Sequence, residues 1–386
     1  MKITAIKTAP IQANFIWNLV RVETNEGISG LGEAYWGRGV EKIIQGISPL
    51  LIGEDPSNIK YLINKIFRMM SGEGSTGGAV VTAISGIELA LWDLLGKSLN
   101  VPLYKLLGGR YRDQIKLYAD CGQGEQPTPE SWAKRVKKAL NNGFRAVKVD
   151  IDNIGIKYTK QQIQKGNISW VTAHRSPISN KELSLIADLV GAVRDKIGPE
   201  IDLAVDCHWN YSVSDTIRLI KTLEPFNLMW LEDPVPPENK EVMAKVSQGS
   251  PIPICTGENL YRCHGFRDLI INQGCHIVQP DIPKVGGLLE TRKIAQLADL
   301  YYMHLAVHNV SSPVATIGAA HLCATIRNFM IMEYHSLDIL WWKDLINGGR
   351  PIIKNGFIKL PESPGLGIKL NKDIAKKHLV KGATYF

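Results

Sequence analysis

The sequence predicts an α/β fold: a (β/α)8-type barrel with a second, smaller unit attached. Three observations carry that expectation. First, apolar, strand-like runs recur, and each ends on an acidic residue or a histidine: Asp206, Glu232, Glu258, Asp281, His308 and Glu333. Second, the steps between these positions are 26, 26, 23, 27 and 25 residues, about what a strand, a loop and a helix consume in a β/α repeat. Third, the intervening segments have helical periodicity. Ser214 to Leu223 carries Ile217, Leu219, Ile220 and Leu223, and Gly287 to Leu300 carries Leu288, Leu289, Ile294, Leu297 and Leu300. Repeats of this kind build a parallel sheet, and this many in series close into a barrel. The 386 residues leave room for a second unit beyond the roughly 250 that such a barrel needs.

In chain order, residues 2–34 read as a small antiparallel sheet. Trp17 to Thr24 alternates after Val20, Asn25-Glu26-Gly27 supplies a turn, and Gly30-Leu31-Gly32-Glu33-Ala34 follows. Helices are expected from about Val40 to Leu50 and Asn58 to Met70. Gly72, Gly74, Gly77 and Gly78 then form a connection that lacks the lysine of a phosphate-binding loop, so no nucleotide role is assigned. Residues 79–98 form a strongly apolar helix, in which Glu88 and Asp93 read as structural. Ile115 to Ala119 is the first barrel strand. Phe144 to Asp150 is the second, with Lys148 and Asp150 on one face. Lys148 to Asp206 is 58 residues and breaks the rhythm. The polar insertion at 151–181, with Tyr158, Trp170 and His174, reads as a lid over the active face or as a disordered excursion. Asn355 to Leu370 is expected to return to the N-terminal unit. The organisation is thus 1–113, 114–354 and 355–386.

Barrel active sites lie at the C-terminal ends of the strands. If the strand through Ala204-Val205 runs on, Asp206 and His208 project from one face. Acidic side chains crowding one mouth repel one another unless a cation sits among them. Asp206, Glu232 and Glu258 are therefore candidate ligands for a hard, oxygen-preferring ion such as Mg2+.

Composition narrows the partners. The 45 basic and 37 acidic residues give a formal charge of +8. No dense Lys/Arg patch or nucleic-acid motif accompanies it, which favours a small anionic substrate over nucleic acid. Six cysteines without a C-x-x-C pair favour a reducing cytoplasm. Met1-Lys2-Ile3-Thr4-Ala5-Ile6-Lys7 is too short and charged for a signal peptide. Residues 300–326 lack Lys, Arg, Asp and Glu but hold His304, His308, His321 and Pro313, which suits barrel core rather than a membrane helix.

Over essentially its whole length the chain resembles the enolase superfamily, in its mandelate racemase branch. The resemblance rests on Gly30-Leu31-Gly32-Glu33-Ala34, on Ser85-Gly86-Ile87-Glu88 with Ala90-Leu91-Trp92-Asp93 and Gly96-Lys97, on Leu106-Leu107-Gly108-Gly109, on the strand ends, and on Pro364-Gly365-Leu366-Gly367. It implies an α+β capping domain over a modified TIM barrel, with Mg2+ at Asp206, Glu232 and Glu258. It also implies a lysine or histidine base, as is general for this superfamily. Racemases of the branch carry Lys-x-Lys on the second strand; here it is Lys148-Val149-Asp150, so the second lysine is missing and Asp150 has no assigned role.

By the same resemblance the base is His308, paired with Asp281. His208 looks like the general acid of sugar-acid dehydratases, or else a histidine beside the metal. Lys148 adds positive charge near the substrate carboxylate, and Glu333, if protonated, hydrogen-bonds the developing oxyanion. The implied activity is a Mg2+-dependent hydro-lyase reaction on an aldonate, giving a 2-keto-3-deoxy sugar acid. D-Arabinonate is the first expectation, then galactonate or gluconate. The rivals are a racemase or epimerase of a 2-hydroxy acid and a non-catalytic sugar-acid sensor. Specificity is expected from Trp17, Asn18, Tyr35, Trp36 and Arg38 and from the insertion. A homo-oligomer is expected, as is common among such relatives.

Overall fold

The computed structural model describes residues 1–152, 154, 177–347 and 352–386. Tyr158, Trp170 and His174, and with them most of the insertion that reads as a lid or as a disordered excursion, lie outside the described residues.

The N-terminal sheet follows the alternation of its sequence. β1 (Ile3–Gln12), β2 (Ile16–Thr24) and β3 (Ser29–Ala34) are antiparallel in that spatial order. Their apolar face packs on helices Val40–Ile47, Ile59–Met69 and Gly78–Ser98. The last is long and apolar enough to cross a membrane, yet 78% of its most apolar window is buried inside the fold. A helix covered on all sides has no need of a polar face. β3 crosses it at backbone contact. A side chain on Gly32 would collide with the carbonyl oxygen of Gly86, and a Cβ on Gly86 would come within 2.8 Å of that of Ala34. The glycines in the two motifs are spacers for this crossing.

The barrel strands are β4 (Gln114–Asp120), β5 (Ala146–Asp150), β6 (Asp202–Asp206), β7 (Trp230–Glu232), β8 (Ile254–Thr256), β9 (Ile277–Val278), β10 (His304–Val307) and β11 (Phe329–Tyr334). They run parallel in chain order, and β11 pairs back onto β4 to close the barrel. Large and small side chains alternate inside it. Tyr118 and Trp230 meet edge-on at 5.2 Å, with Ala146, Ala204 and Ala306 filling the remaining space. Register places Asp150 beside Asp206 and Asp206 beside Glu232, so the strand-end acids line up at one mouth.

Acidic residues of the N-terminal unit join it to the barrel. Glu33 accepts hydrogen bonds from the backbone N–H groups of Ser312 and Ala315, at 2.9 and 3.0 Å, where helix Pro313–Cys323 begins. Glu88 does the same for Leu288 and Leu289, at 2.9 and 3.0 Å, where helix Gly287–Leu300 begins. A buried carboxylate at a helix N-terminus satisfies donors that have no partner within the helix, and it meets the positive end of the helix dipole. Asp93 accepts from the N–H groups of Leu31 and Leu366, each at 2.7 Å. Glu88 and Asp93 are thus structural, as their sequence context suggests.

The C-terminal segment touches both units. Phe357–Lys359 adds an antiparallel strand to β4 of the barrel. Only beyond it does the chain reach the N-terminal unit, through Gly365 beside Pro102 and Leu379 beside Ile11.

Candidate active site

One cavity of about 440 Å³ opens where the strand ends meet the N-terminal unit. Its barrel side carries Lys148, Asp150, His208, Glu258, Lys284 and His308; its other wall carries Phe15, Tyr35, Trp36 and Arg38.

Lys148 is the electrostatic centre of the site. Only 1% exposed, its ammonium lies 2.8 Å from Glu232, 2.9 Å from Asp206, 3.0 Å from Glu333 and 3.4 Å from Asp120. Burial alone would discharge it. The surrounding carboxylates, Asp206 and Glu232 foremost, overcome that and raise its pKa well above the ordinary lysine value. The same crowding acts on the acids. Burial and the charge of Asp206 push Glu232 well above the usual carboxylate range, while Asp206 is held low by His208 and Lys148 against the effect of burial.

His308 is held from two sides. Its Nδ1 lies 2.7 Å from Asp281 Oδ2, and its Nε2 lies 3.0 Å from Glu258 Oε2 and 3.6 Å from Glu333 Oε2. Burial works against its charge, but Glu258, Glu333 and Asp281 raise its pKa to about 10. A carboxylate on Nδ1 fixes the ring so that Nε2 faces the cavity. The same oxygen of Glu333 accepts the N–H of Asn309 at 2.9 Å, and its Oε1 lies towards Lys148.

His208 corrects a geometric expectation. It does not continue the strand, because β6 stops at Asp206 and the chain turns, with φ of 43° at His208 and 58° at Trp209. The turn is set locally: the His208 N–H donates to Asp206 Oδ1 at 2.9 Å, an Asx-type bond that draws the chain out of the extended conformation. The ring still returns to the site. Nδ1 lies 2.9 Å from Asp152 Oδ1, and Nε2 lies 3.6 Å from Asp206 Oδ2. Burial opposes its protonation, and Asp206 and Asp152 more than offset this, so its pKa is raised well above the ordinary value.

The expected ion ligands Asp206, Glu232 and Glu258 occupy successive strand ends, and all are buried. Among the described residues, a donor group that shares only Asp206 with that set comes together: atoms of Asp150, Asp206 and His208 all lie within 4.8 Å of one another. Lys148 and Trp230 hold Glu232, while His308 holds Glu258. The donor chemistry nevertheless fits a hard cation. These are buried carboxylate oxygens in excess of the nearby positive groups, and Asp206 Oδ2 has no hydrogen bond of good geometry.

Several residues of the site escaped the sequence reading. Asp120 ends β4 as the other acids end their strands, one residue past the apolar run that was read there, and its pKa is lowered to about 2 by Lys148 and His335 against burial. Asp152 orients His208. Lys284 follows Asp281 on the short helix Ile282–Val285 and is 6% exposed. No periodic signal marked it. Tyr35, Trp36 and Arg38 line the cavity as expected, but Trp17 and Asn18 do not. Trp17 donates its Nε1–H to the Val310 carbonyl at 3.2 Å, and Asn18 donates to the Tyr35 carbonyl at 3.1 Å. They stand behind the wall and support it.

The fold and the site together define a capped barrel enzyme. Comparison with known families makes the class specific. Residues 3–108 match the N-terminal domain of mandelate racemase / muconate lactonizing enzyme, and residues 131–374 match the enolase C-terminal domain-like family. The chain belongs to the enolase superfamily, in its mandelate racemase / muconate lactonizing enzyme branch. It is 42% identical over 386 residues to a D-xylonate dehydratase from Haloferax volcanii, covering 100% of this chain and 90% of the relative. It is 31% identical to a D-galactonate dehydratase from Pectobacterium atrosepticum, covering 97% and 93%. Among solved structures, a mandelate racemase/muconate lactonizing enzyme-like protein from Rubrobacter xylanophilus superposes with a TM-score of 0.92 at 39% identity, covering 100% of this chain and 99% of the other.

Proposed function

We propose that the chain is a hydro-lyase that dehydrates a sugar acid to its 2-keto-3-deoxy derivative, in the cytoplasm and with Mg2+. The observation that carries the reading is a pair of histidines, each held by its own aspartate, facing one cavity from different strand ends: His308 with Asp281 and His208 with Asp152. Removing water from adjacent carbons takes one group to accept a proton and another to give one. Bound by Asp206, Glu232 and Glu258, Mg2+ would supply positive charge for the substrate carboxylate and would offset the acids that keep His308 protonated. Lys148 faces the same carboxylate and adds its own fixed charge. His308 Nε2 takes the proton from C2, while Asp281 holds the opposite ring nitrogen. Glu333 lies beside both Lys148 and His308, where negative charge develops. His208 Nε2 delivers a proton to the C3 hydroxyl, which leaves as water. The resulting enol becomes the 2-keto acid.

The D-xylonate dehydratase relative puts D-xylonate first for testing, followed by D-arabinonate, galactonate and gluconate. D-Xylonate and D-arabinonate differ only at C2 and C3, the two carbons whose configuration dehydration erases. Both therefore give one product, and rates of substrate loss must tell them apart. The same histidine pair also suits two-base epimerisation. Incubating each aldonate with enzyme and Mg2+, with and without a chelator, separates the readings. A 2-keto-3-deoxy product that disappears on chelation supports the proposal. C2 exchange in heavy water without product would replace it with an epimerase.

A further inference from the structure

The two buried lysines of the cavity are in opposite situations. Lys148 is surrounded by carboxylates. Lys284, also buried, makes its one side-chain hydrogen bond among the described residues to a neutral group, the Oδ1 of Asn259. Its ammonium otherwise faces aromatic rings, with the Tyr35 centroid at 4.7 Å and the Tyr261 centroid at 5.9 Å. An ammonium carries three donors, so most of its capacity is uncommitted. Glu258, Asp281 and Asp233 act on its charge only through space, and burying an ammonium without a carboxylate bonded to it is costly.

The surroundings hold that ammonium in place. Lys284 sits on the helix that begins directly after Asp281, and the Pro283 carbonyl accepts the Tyr35 N–H at 3.0 Å. The Tyr35 ring in turn lies 6.2 Å from the His308 ring. Lys284 therefore stands on the His308 side of the cavity, under the Tyr35 wall, away from the carboxylates packed on Lys148. Because Asn259 accepts through Oδ1, its Nδ2 is left to donate. The pair presents mainly donors, the remaining ammonium hydrogens and the Asn259 amide N–H groups, set in a wall of aromatic rings.

Resting on the sugar-acid reading, we propose that Lys284, with Asn259, is the specificity-determining contact for a chain hydroxyl of the sugar acid beyond C3. A donor-rich pair matches the oxygen of a hydroxyl, and a site built to bond a hydroxyl rejects an analogue that lacks it. The carboxylate end is served by Lys148. Lys284 is the buried ammonium left on the barrel side for the rest of the chain, with the exposed Arg38 in the opposite wall.

Binding of D-xylonate, 4-deoxy-D-xylonate and 5-deoxy-D-xylonate is measured by titration calorimetry with Mg2+ present. The protein carries His308→Asn so that nothing turns over, and it has Lys284 intact or replaced by Met or Arg. With Lys284 intact, D-xylonate binds roughly 10- to 100-fold tighter than one of the deoxy acids. Lys284→Met brings that ratio to within about 3-fold, and Lys284→Arg restores most of it. Equal weakening of all three ligands by Lys284→Met, no weakening, or no aldonate binding to the Lys284 protein overturns the proposal. Turnover is read separately with His308 intact. Absence of 2-keto-3-deoxy product alongside an intact binding ratio overturns the dehydratase reading alone.

Discussion

His308 Nδ1 lies 2.7 Å from Asp281 Oδ2, and the two residues also form a parallel backbone bridge. Asp281 thus holds the ring through its carboxylate and the chain that carries it through its backbone. His308→Asn is expected to abolish both C2 hydrogen exchange and dehydration. Asp281→Asn leaves the ring but loses its orientation, and kcat should fall by about 10²–10⁴-fold. Single-turnover kinetics and exchange in heavy water check both. Undiminished exchange in His308→Asn would reassign the base.

His208 is expected to act after the C2 proton has left. His208→Asn should stop formation of the 2-keto-3-deoxy acid while leaving C2 exchange measurable. Deuterium incorporation into recovered substrate, followed by NMR beside a product assay, separates the two steps. Full dehydration by this variant would show that another group protonates the leaving hydroxyl.

Glu33 makes stability depend on pH. Burial raises its carboxyl from 4.5 to about 7, and the donors of Ser312 and Ala315 only partly offset it. The folded state therefore binds this proton more tightly than the unfolded chain does. Between about pH 4.5 and 7 the folded form holds more of it, so this contribution to stability is fully present at low pH and is lost as pH rises through the window. Chemical denaturation at a series of pH values should show a decline that Glu33→Gln removes, on the order of 1–3 kcal/mol across the window. A slope equal in both proteins would assign the titration elsewhere.

Gly86→Ala sets two effects against each other. Alanine favours a helix over glycine by roughly 1 kcal/mol. The added Cβ would meet the Ala34 Cβ and backbone nitrogen at 2.8 Å, so β3 must move. Overpacking of this kind costs about 1–3 kcal/mol, and the steric term should win. Urea denaturation is expected to give net destabilisation; a stabilised variant would mean that β3 shifts freely.

The barrel was legible because its strand ends keep one period, and 3.6-residue periodicity located Gly287–Leu300 to the residue. The acids at those ends were equally visible, since a polar residue closing an apolar run stands out. Lys284 was not, because nothing in Pro283-Lys284-Val285 distinguishes a buried ammonium from a solvated one. The turn at His208 depends on a side-chain bond from Asp206 that competes with strand extension, and alternation alone cannot register it. Asp152 was hidden for a related reason: its role arises from a contact with a residue 56 positions away.

Glu33 and Glu88 bear on how substrate range can change. The strand ends and Lys284 belong to the barrel while Phe15, Tyr35, Trp36 and Arg38 of the cavity wall belong to the N-terminal unit, and two barrel helices begin on carboxylates borrowed from that unit. Grafting a foreign N-terminal unit would strip those helix starts of their acceptors as well as alter the wall. Variation that leaves the graft points untouched is open at Phe15 and along the short stretch between β3 and the first helix, Tyr35 to Gly39. For directed evolution that stretch is the natural library, while Glu33, Gly86 and Glu88 are the positions to hold constant.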